Sequence, residues 1–350
     1  MGKNLLLVGA QMEDATASAA PFDVRYRYLA GGIRPAGTCS TSCSSSCSNW
    51  WGCWQDMSKA PGQYVLSHIQ NSTSMTWQGS ARAQIPAITY YELLNSSKLA
   101  EGTAEVAAIN DATFLARYLD DWRFLLQTIG NNKALLHIEP DFWGYVRSLN
   151  SDPHKVPAKV TTANPTDCAG QENSASGFAK CMIAMTRKYA PNASVGLHAS
   201  PWNYTVSGDG AAIGTFLTAL GAGDGDFVVT DPSDRDAGYY ESLNRNTWWD
   251  DTAAANYLAW SKTISDTVGK PTVMWQIPLG NMAQNNTTNH WKDNRVDYLF
   301  AHLPQVAKAK VVALLFGAGE GQQTTPESDG GNLIAKTQSN WQAGGTPLCQ

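Results

Sequence analysis

Glu139 and Asp141 stand one proline apart at the end of the apolar run Leu135-Leu136-His137-Ile138, and Phe142 and Trp143 follow directly. Two carboxyl groups near one point suit a reaction in which one gives up a proton while the other, ionised, activates water or attacks carbon. An apolar run that ends abruptly in acids is also how a barrel strand delivers side chains to a mouth. Residues two apart on a strand share a face, so Glu139 and Asp141 are expected to point the same way if extended geometry persists through Pro140. The competing expectation is a helix start, with Asp141 as N-cap and Glu139 solvated.

Other chemistry-bearing residues also fall at or just beyond the ends of apolar runs. They are Tyr90, Tyr91 and Glu92, then His198 with Trp202, then Asp231 with Asp234, then Trp275 with Gln276, and finally Glu320 after Gly317-Ala318-Gly319. Acids interleaved with Trp and Tyr are what cleavage of a glycosidic bond requires. The carboxyls handle the proton and the water, and flat aromatic rings stack on sugar faces. Each residue also has a plainer reading. Trp275 would be core, His198 a hydrogen-bonded structural histidine, and Asp231, just before Pro232, the start of a turn.

These positions need elements to bring them together. Strand-like runs are expected at residues 5–10, 24–29, 86–91, 135–138, 195–198, 227–231, 272–276 and 311–316. Helical periodicity intervenes at about 104–129, stopping at Gly130, at 178–189, at 252–268 before Gly269, and at 294–303, ending near Pro304. Only about a dozen residues, with Pro21 among them, separate the first two runs, so that crossover is truncated. The regular alternation predicts an α/β fold, a single and possibly distorted (β/α)8 barrel of the TIM type over residues 1–350. An open doubly wound sheet is the rival. No strand runs into the glycine-rich fingerprint of a dinucleotide site.

Composition narrows the partners. A net charge of -5 argues against a nucleic-acid groove, and no apolar window is long enough to span a membrane. Only 16% of residues are charged, beside 13 Trp and 13 Tyr, a surface suited to neutral polar ligands with flat apolar faces. No cofactor and no metal are expected. His137, His198, Asp231 and Glu320 lack the spacing of a metal hydrolase, and no Gly-x-Ser-x-Gly elbow is present. Seven cysteines point to an oxidising compartment, hence a secreted monomer whose leader is absent from this sequence. Cys39, Cys43, Cys47 and Cys53 lie in a Ser-rich loop after the second strand and are expected to form disulfides that hold Trp50, Trp51 and Trp54 as a wall of sugar subsites. Cys168 and Cys181 are expected to pair, closing a loop worth roughly 3 kcal/mol. Cys349 is either odd or paired with a loop cysteine.

The stretch Ile138-Glu139-Pro140-Asp141 resembles the Ile-Glu-Pro-Asp segment of glycoside hydrolase family 6, cellulases with a distorted β/α barrel. The resemblance implies that Asp141 is the general acid. Phe142-Trp143 departs from the Ser-Leu usual there, and the family's Asp-rich loop has no counterpart near Tyr90-Tyr91-Glu92. Glu139-Pro140 also resembles the Asn-Glu-Pro triplet of the large retaining-glycosidase clan, with Ile138 in place of Asn. That clan's strand-seven nucleophile is a Glu, and here Gln276 stands instead. The expectation is therefore a glycosidase acting on a polysaccharide, a β-linked glucan being the first choice. Glu139 or Asp141 would be its proton donor and Asp231 or Glu320 the second carboxylate. Tyr90, Tyr91, Glu92, Trp143, His198, Trp202, Trp275 and Gln276 would contact sugar. The rival is a non-catalytic carbohydrate-binding barrel.

Overall fold

The eight apolar runs form eight parallel strands in a computed structural model that describes residues 4–35, 39, 41–54, 57–201 and 208–348. They are β1 (Leu7–Ala10), β2 (Val24–Leu29), β3 (Ile85–Tyr90), β4 (Leu135–Ile138), β5 (Ser194–Ala199), β6 (Phe227–Thr230), β7 (Thr272–Ile277) and β8 (Val311–Phe316). Each strand pairs with its successor, and β8 returns to β1 through Leu7↔Ala313 to Ala10↔Phe316, which closes the barrel. Closure leaves no edge strand exposed. Where β1 meets β2, a Cβ on Gly9 would lie 2.2 Å from the Val24 carbonyl oxygen, so only glycine permits the approach.

Strand alternation sorts side chains into two cores. Leu7, Tyr26, Ala87, Leu135, Phe227 and Trp275 fill the barrel interior, while the opposite parity packs on the surrounding helices. Those helices begin and end for local reasons. Asp111 caps Ala112–Ile129 by accepting from the Thr113 and Phe114 amides, and Gly130 stops it at φ +54. The expected helix over 104–129 is thus divided, because a cap at Asp111 separates it from the 3-10 turn Glu105–Asn110. Ser174 caps Ala175–Tyr189, and Asp250 caps Asp251–Val268, which ends at Gly269. The helix expected to end near Pro304 is Arg295–Ala301, and Pro304 itself opens the next helix. It sits in the first turn of Leu303–Lys308, just after Arg295–Ala301, where its missing N–H costs nothing. The truncated β1–β2 crossover holds only the short helix Asp14–Ala19.

Three disulfides staple the loops: Cys39–Cys47, Cys43–Cys53 and Cys168–Cys181. The four loop cysteines therefore pair among themselves, and Cys349 lies outside the described residues. No helix among the described residues is long and apolar enough to cross a membrane.

Candidate active site

The C-terminal ends of the strands open onto a cleft of about 1100 Å³. Tyr91, Asp141, Asp231, Trp275, Gln276 and Glu320 line it.

At the end of β4 the expected shared face is lost. Glu139 and Asp141 adopt φ +43 and +67, the left-handed region that residues with a Cβ avoid. The turn at Glu139 swings its side chain out of the barrel. Fully buried, its Oε1 accepts from the Glu92 and Leu93 amides (3.0 and 3.1 Å) and from the Tyr118 hydroxyl (2.6 Å). Burial pushes its carboxyl up to about 8 against the pull of those donors. Asp141 goes to the cleft instead, where the Ser200 hydroxyl donates to its Oδ1 at 3.2 Å. A helix, Phe142–Leu149, does start after Asp141, yet the Asp141 side chain does not cap it. Asp141 thus holds the expected N-cap position without its capping bond, and Glu139 is buried rather than solvated.

Asp231 follows β6 and is only 7% exposed. A chain of side chains runs from it into the barrel: Asp231 Oδ1 to His198 Nε2 at 2.9 Å, His198 Nδ1 to His137 Nε2 at 2.9 Å, and His137 Nδ1 to Thr89 Oγ1 at 3.3 Å. Burial and the neighbouring His198 hold the His137 imidazole well below its ordinary pKa, hence neutral. Trp275 seals the chain from the side, its ring edge-on to both imidazoles. At the end of β7, Gln276 occupies φ +54 beside an irregularity in the β7–β8 register, and its Oε1 accepts from the Tyr28 hydroxyl at 2.6 Å. Three left-handed residues with side chains thus cluster at the strand ends, strain of the kind that functional sites retain. Glu320 is exposed and 3.5 Å from Arg235, which also pairs with Asp234.

Several expected contact residues lie off this cleft. Tyr90 has the outward parity of β3 and donates at 2.6 Å to buried Asp121. Trp50 and Trp51 are no subsite wall, because their indoles donate to the two oxygens of the same Asp121 (2.7 and 2.8 Å) and fasten the cysteine loop to the barrel. Asp121 is pushed up to about 6 by burial, against four such donors. Glu92 is fully buried and accepts from the Gly32 amide, and Trp143 is buried with its indole donating to the Ile138 carbonyl. Trp54 is exposed but packs on Tyr64 rather than lining the cleft. Trp202 lies outside the described residues. Composition and spacing missed Tyr28, Ser200 and Asp121. The alternation Tyr26-Arg27-Tyr28 carried a signal for Tyr28, since it places both tyrosines inside. Among the described residues no three of His, Cys, Asp and Glu group as a metal site needs.

No known family profile matches the chain, and no curated protein matches it. Solved structures share its fold. The chain is similar to an endo-β-1,4-mannanase from Cellulomonas fimi at 12% identity and TM-score 0.51, over 96% of this chain and 75% of that one. Endo-glycoceramidase II from Rhodococcus sp. matches at 9% and 0.52, over 95% and 79%. The Ignisphaera aggregans GH53 catalytic domain matches at 9% and 0.50, over 93% and 91%. At these identities the likeness is one of fold.

Proposed function

We propose that this chain is a secreted glycoside hydrolase that cleaves a polysaccharide at the C-terminal mouth of its barrel. The observation that carries the reading is the arrival of Asp141 and Asp231 at one cleft, on abrupt strand ends, beside Tyr28, Tyr91 and Trp275. Asp141 donates the proton to the leaving oxygen. Asp231, held by the His198 imidazole, acts as the ionised base or nucleophile. Glu320, exposed and drawn to Arg235, contacts substrate rather than the reacting bond. The barrel neighbours include enzymes whose names record action on β-mannan and on glycoceramide, which supports glycan cleavage on this scaffold. Three disulfides support secretion.

The test is reducing-sugar release from a polysaccharide panel, β-linked glucans first, by the wild type, Asp141→Asn, Asp231→Asn and Glu139→Gln. A loss of about 10²-fold or more in both Asp variants, with folding intact, is the expected result. An equal loss in Glu139→Gln alone would move the proton donor into the wall. The second reading, a carbohydrate-binding barrel without catalysis, draws on Gln276, an amide at the end of β7 where a carboxylate would serve. Glycan binding without release from any substrate would select it.

A further inference from the structure

We propose that the cleft takes a cationic polysaccharide, a chain of 2-amino-2-deoxy sugars in protonated form. The inference rests on the hydrolase reading above and names its substrate class.

Seven carboxylates and three guanidiniums line the cleft. Their formal surplus of four negative charges, three when Asp141 carries its proton, is most of the whole chain's formal -5, concentrated in one concave surface. Glycoside cleavage needs two carboxyl groups, so five stand outside that requirement. Two of the guanidiniums are already matched. Arg27 is bidentate on Glu13 at 2.9 and 3.0 Å, and Arg235 sits between Asp234 and Glu320. Arg245 lies over the Tyr240 ring, 4.0 Å from its centroid. On the other side, Glu101 accepts from the Tyr145 hydroxyl at 3.0 Å, and Glu327 from the Glu13 amide at 2.9 Å. Neither meets a lysine or arginine among the described residues, and both are exposed. Residues 202–207, which continue the chain from the cleft-lining Pro201, include no Lys, Arg or His.

Like charges gathered in a concave, low-dielectric wall focus their field and raise the local concentration of the opposite charge. A neutral glycan gains nothing from such a surplus, and a polyuronate is repelled. A second observation says that the ligand is a sugar and not merely a cation. Gln276 is 8% exposed and lines the cleft. Tyr28 occupies its Oε1, while no protein acceptor meets its Nε2 among the described residues. A held amide donor fits a hydroxyl or ring oxygen and repels an ammonium group. Ammonium groups for Glu101 and Glu327, an oxygen for Gln276 and a flat face for Trp275 and Tyr91 are together the surface of an amino sugar.

The experiment compares soluble chitosan with the same chains N-acetylated, alongside neutral β-glucan and β-mannan and anionic polygalacturonate, in mildly acidic buffer. N-acetylation removes the charge and keeps the backbone. The expected result is a kcat/KM at least about tenfold higher on the deacetylated chain, an advantage that shrinks with added salt. The double variant Glu101→Gln/Glu327→Gln is expected to cut that ratio several-fold, mostly through KM. Cleavage of the neutral or N-acetylated chains at an equal or higher kcat/KM overturns the inference and leaves the hydrolase reading standing. Salt-sensitive binding of chitosan with no cleavage of any polymer upholds the cationic ligand and overturns the hydrolase reading. A folded protein that neither binds nor cleaves chitosan overturns the inference.

Discussion

Asp231 and Asp141 meet the same cleft by different means, and the difference is testable one residue at a time. Asp231 keeps the inward parity of β6, and its orientation rests on a charge-assisted bond to His198. Such a bond is worth about 1.5–3 kcal/mol. His198→Ala is therefore expected to lower kcat by roughly 10- to 100-fold. His198→Gln, whose amide can still donate to Asp231, should recover part of the loss. Equal loss in both variants would show that His198 acts other than by holding Asp231. Asp141 owes its position to strained backbone at φ +67. Asp141→Gly should relieve about 1 kcal/mol of that strain and raise the melting temperature while abolishing activity, a trade that thermal melts read directly.

At the scale of elements, the cysteine loop is a docked structure. Its two disulfides close it, and the Trp50 and Trp51 indoles tie it to Asp121 on the helix behind β3 and β4. Asp121→Ala would strand two buried indole donors and the Tyr90 hydroxyl at about 1–3 kcal/mol each. The expected outcome is a melting temperature lower by well over 5 °C and faster proteolytic cleavage between residues 39 and 54. Proteolysis at the wild-type rate would mean that the disulfides alone hold the loop.

For the molecule as a whole, the buried acids behind the mouth set a pH dependence of stability. Glu139 and Glu105 ionise near 8 in the folded chain, both raised chiefly by burial, against 4.5 for a free Glu. Glu92 is also raised, by burial and by Asp121 and Glu139. Between about pH 4.5 and 8 the folded state thus binds more protons than the unfolded state, and stability falls as pH rises through that window. Each such group contributes about 1.4 kcal/mol per pH unit at most. Asp167 acts in the opposite sense. Although desolvation opposes the shift, Lys188, Tyr189 and Arg123 together lower its pKa, so its contribution is lost as pH falls below its unfolded value of 3.8. Thermal melts from pH 4 to 9 should therefore be highest at the acid end of that range and decline toward 8. Glu139→Gln, which keeps an acceptor for Tyr118, should flatten the decline.

Much of this arrangement was legible in the amino-acid sequence because it depends on local pattern. Apolar runs with turn signals located all eight strands, and their alternation with helices led to the closed barrel. The pairing of Cys168 with Cys181 followed from proximity along the chain. Asp231, Trp275 and Glu320 were expected at the mouth because they end or closely follow strands, which converge in a barrel, and all three line the cleft. The fate of Glu139 and Asp141 was not legible. Alternation assigns them one face, and only the left-handed turns at both residues, fixed by the packing of Tyr118 and the Glu92 loop against β4, send one carboxyl into the wall and the other to the cleft. Trp50 and Trp51 likewise looked like a sugar-binding surface until the helix carrying Asp121 packed beneath them. A side chain's type and spacing say what chemistry it can do, but its direction at a break in regular structure depends on partners distant in sequence, and those meet only in the folded chain.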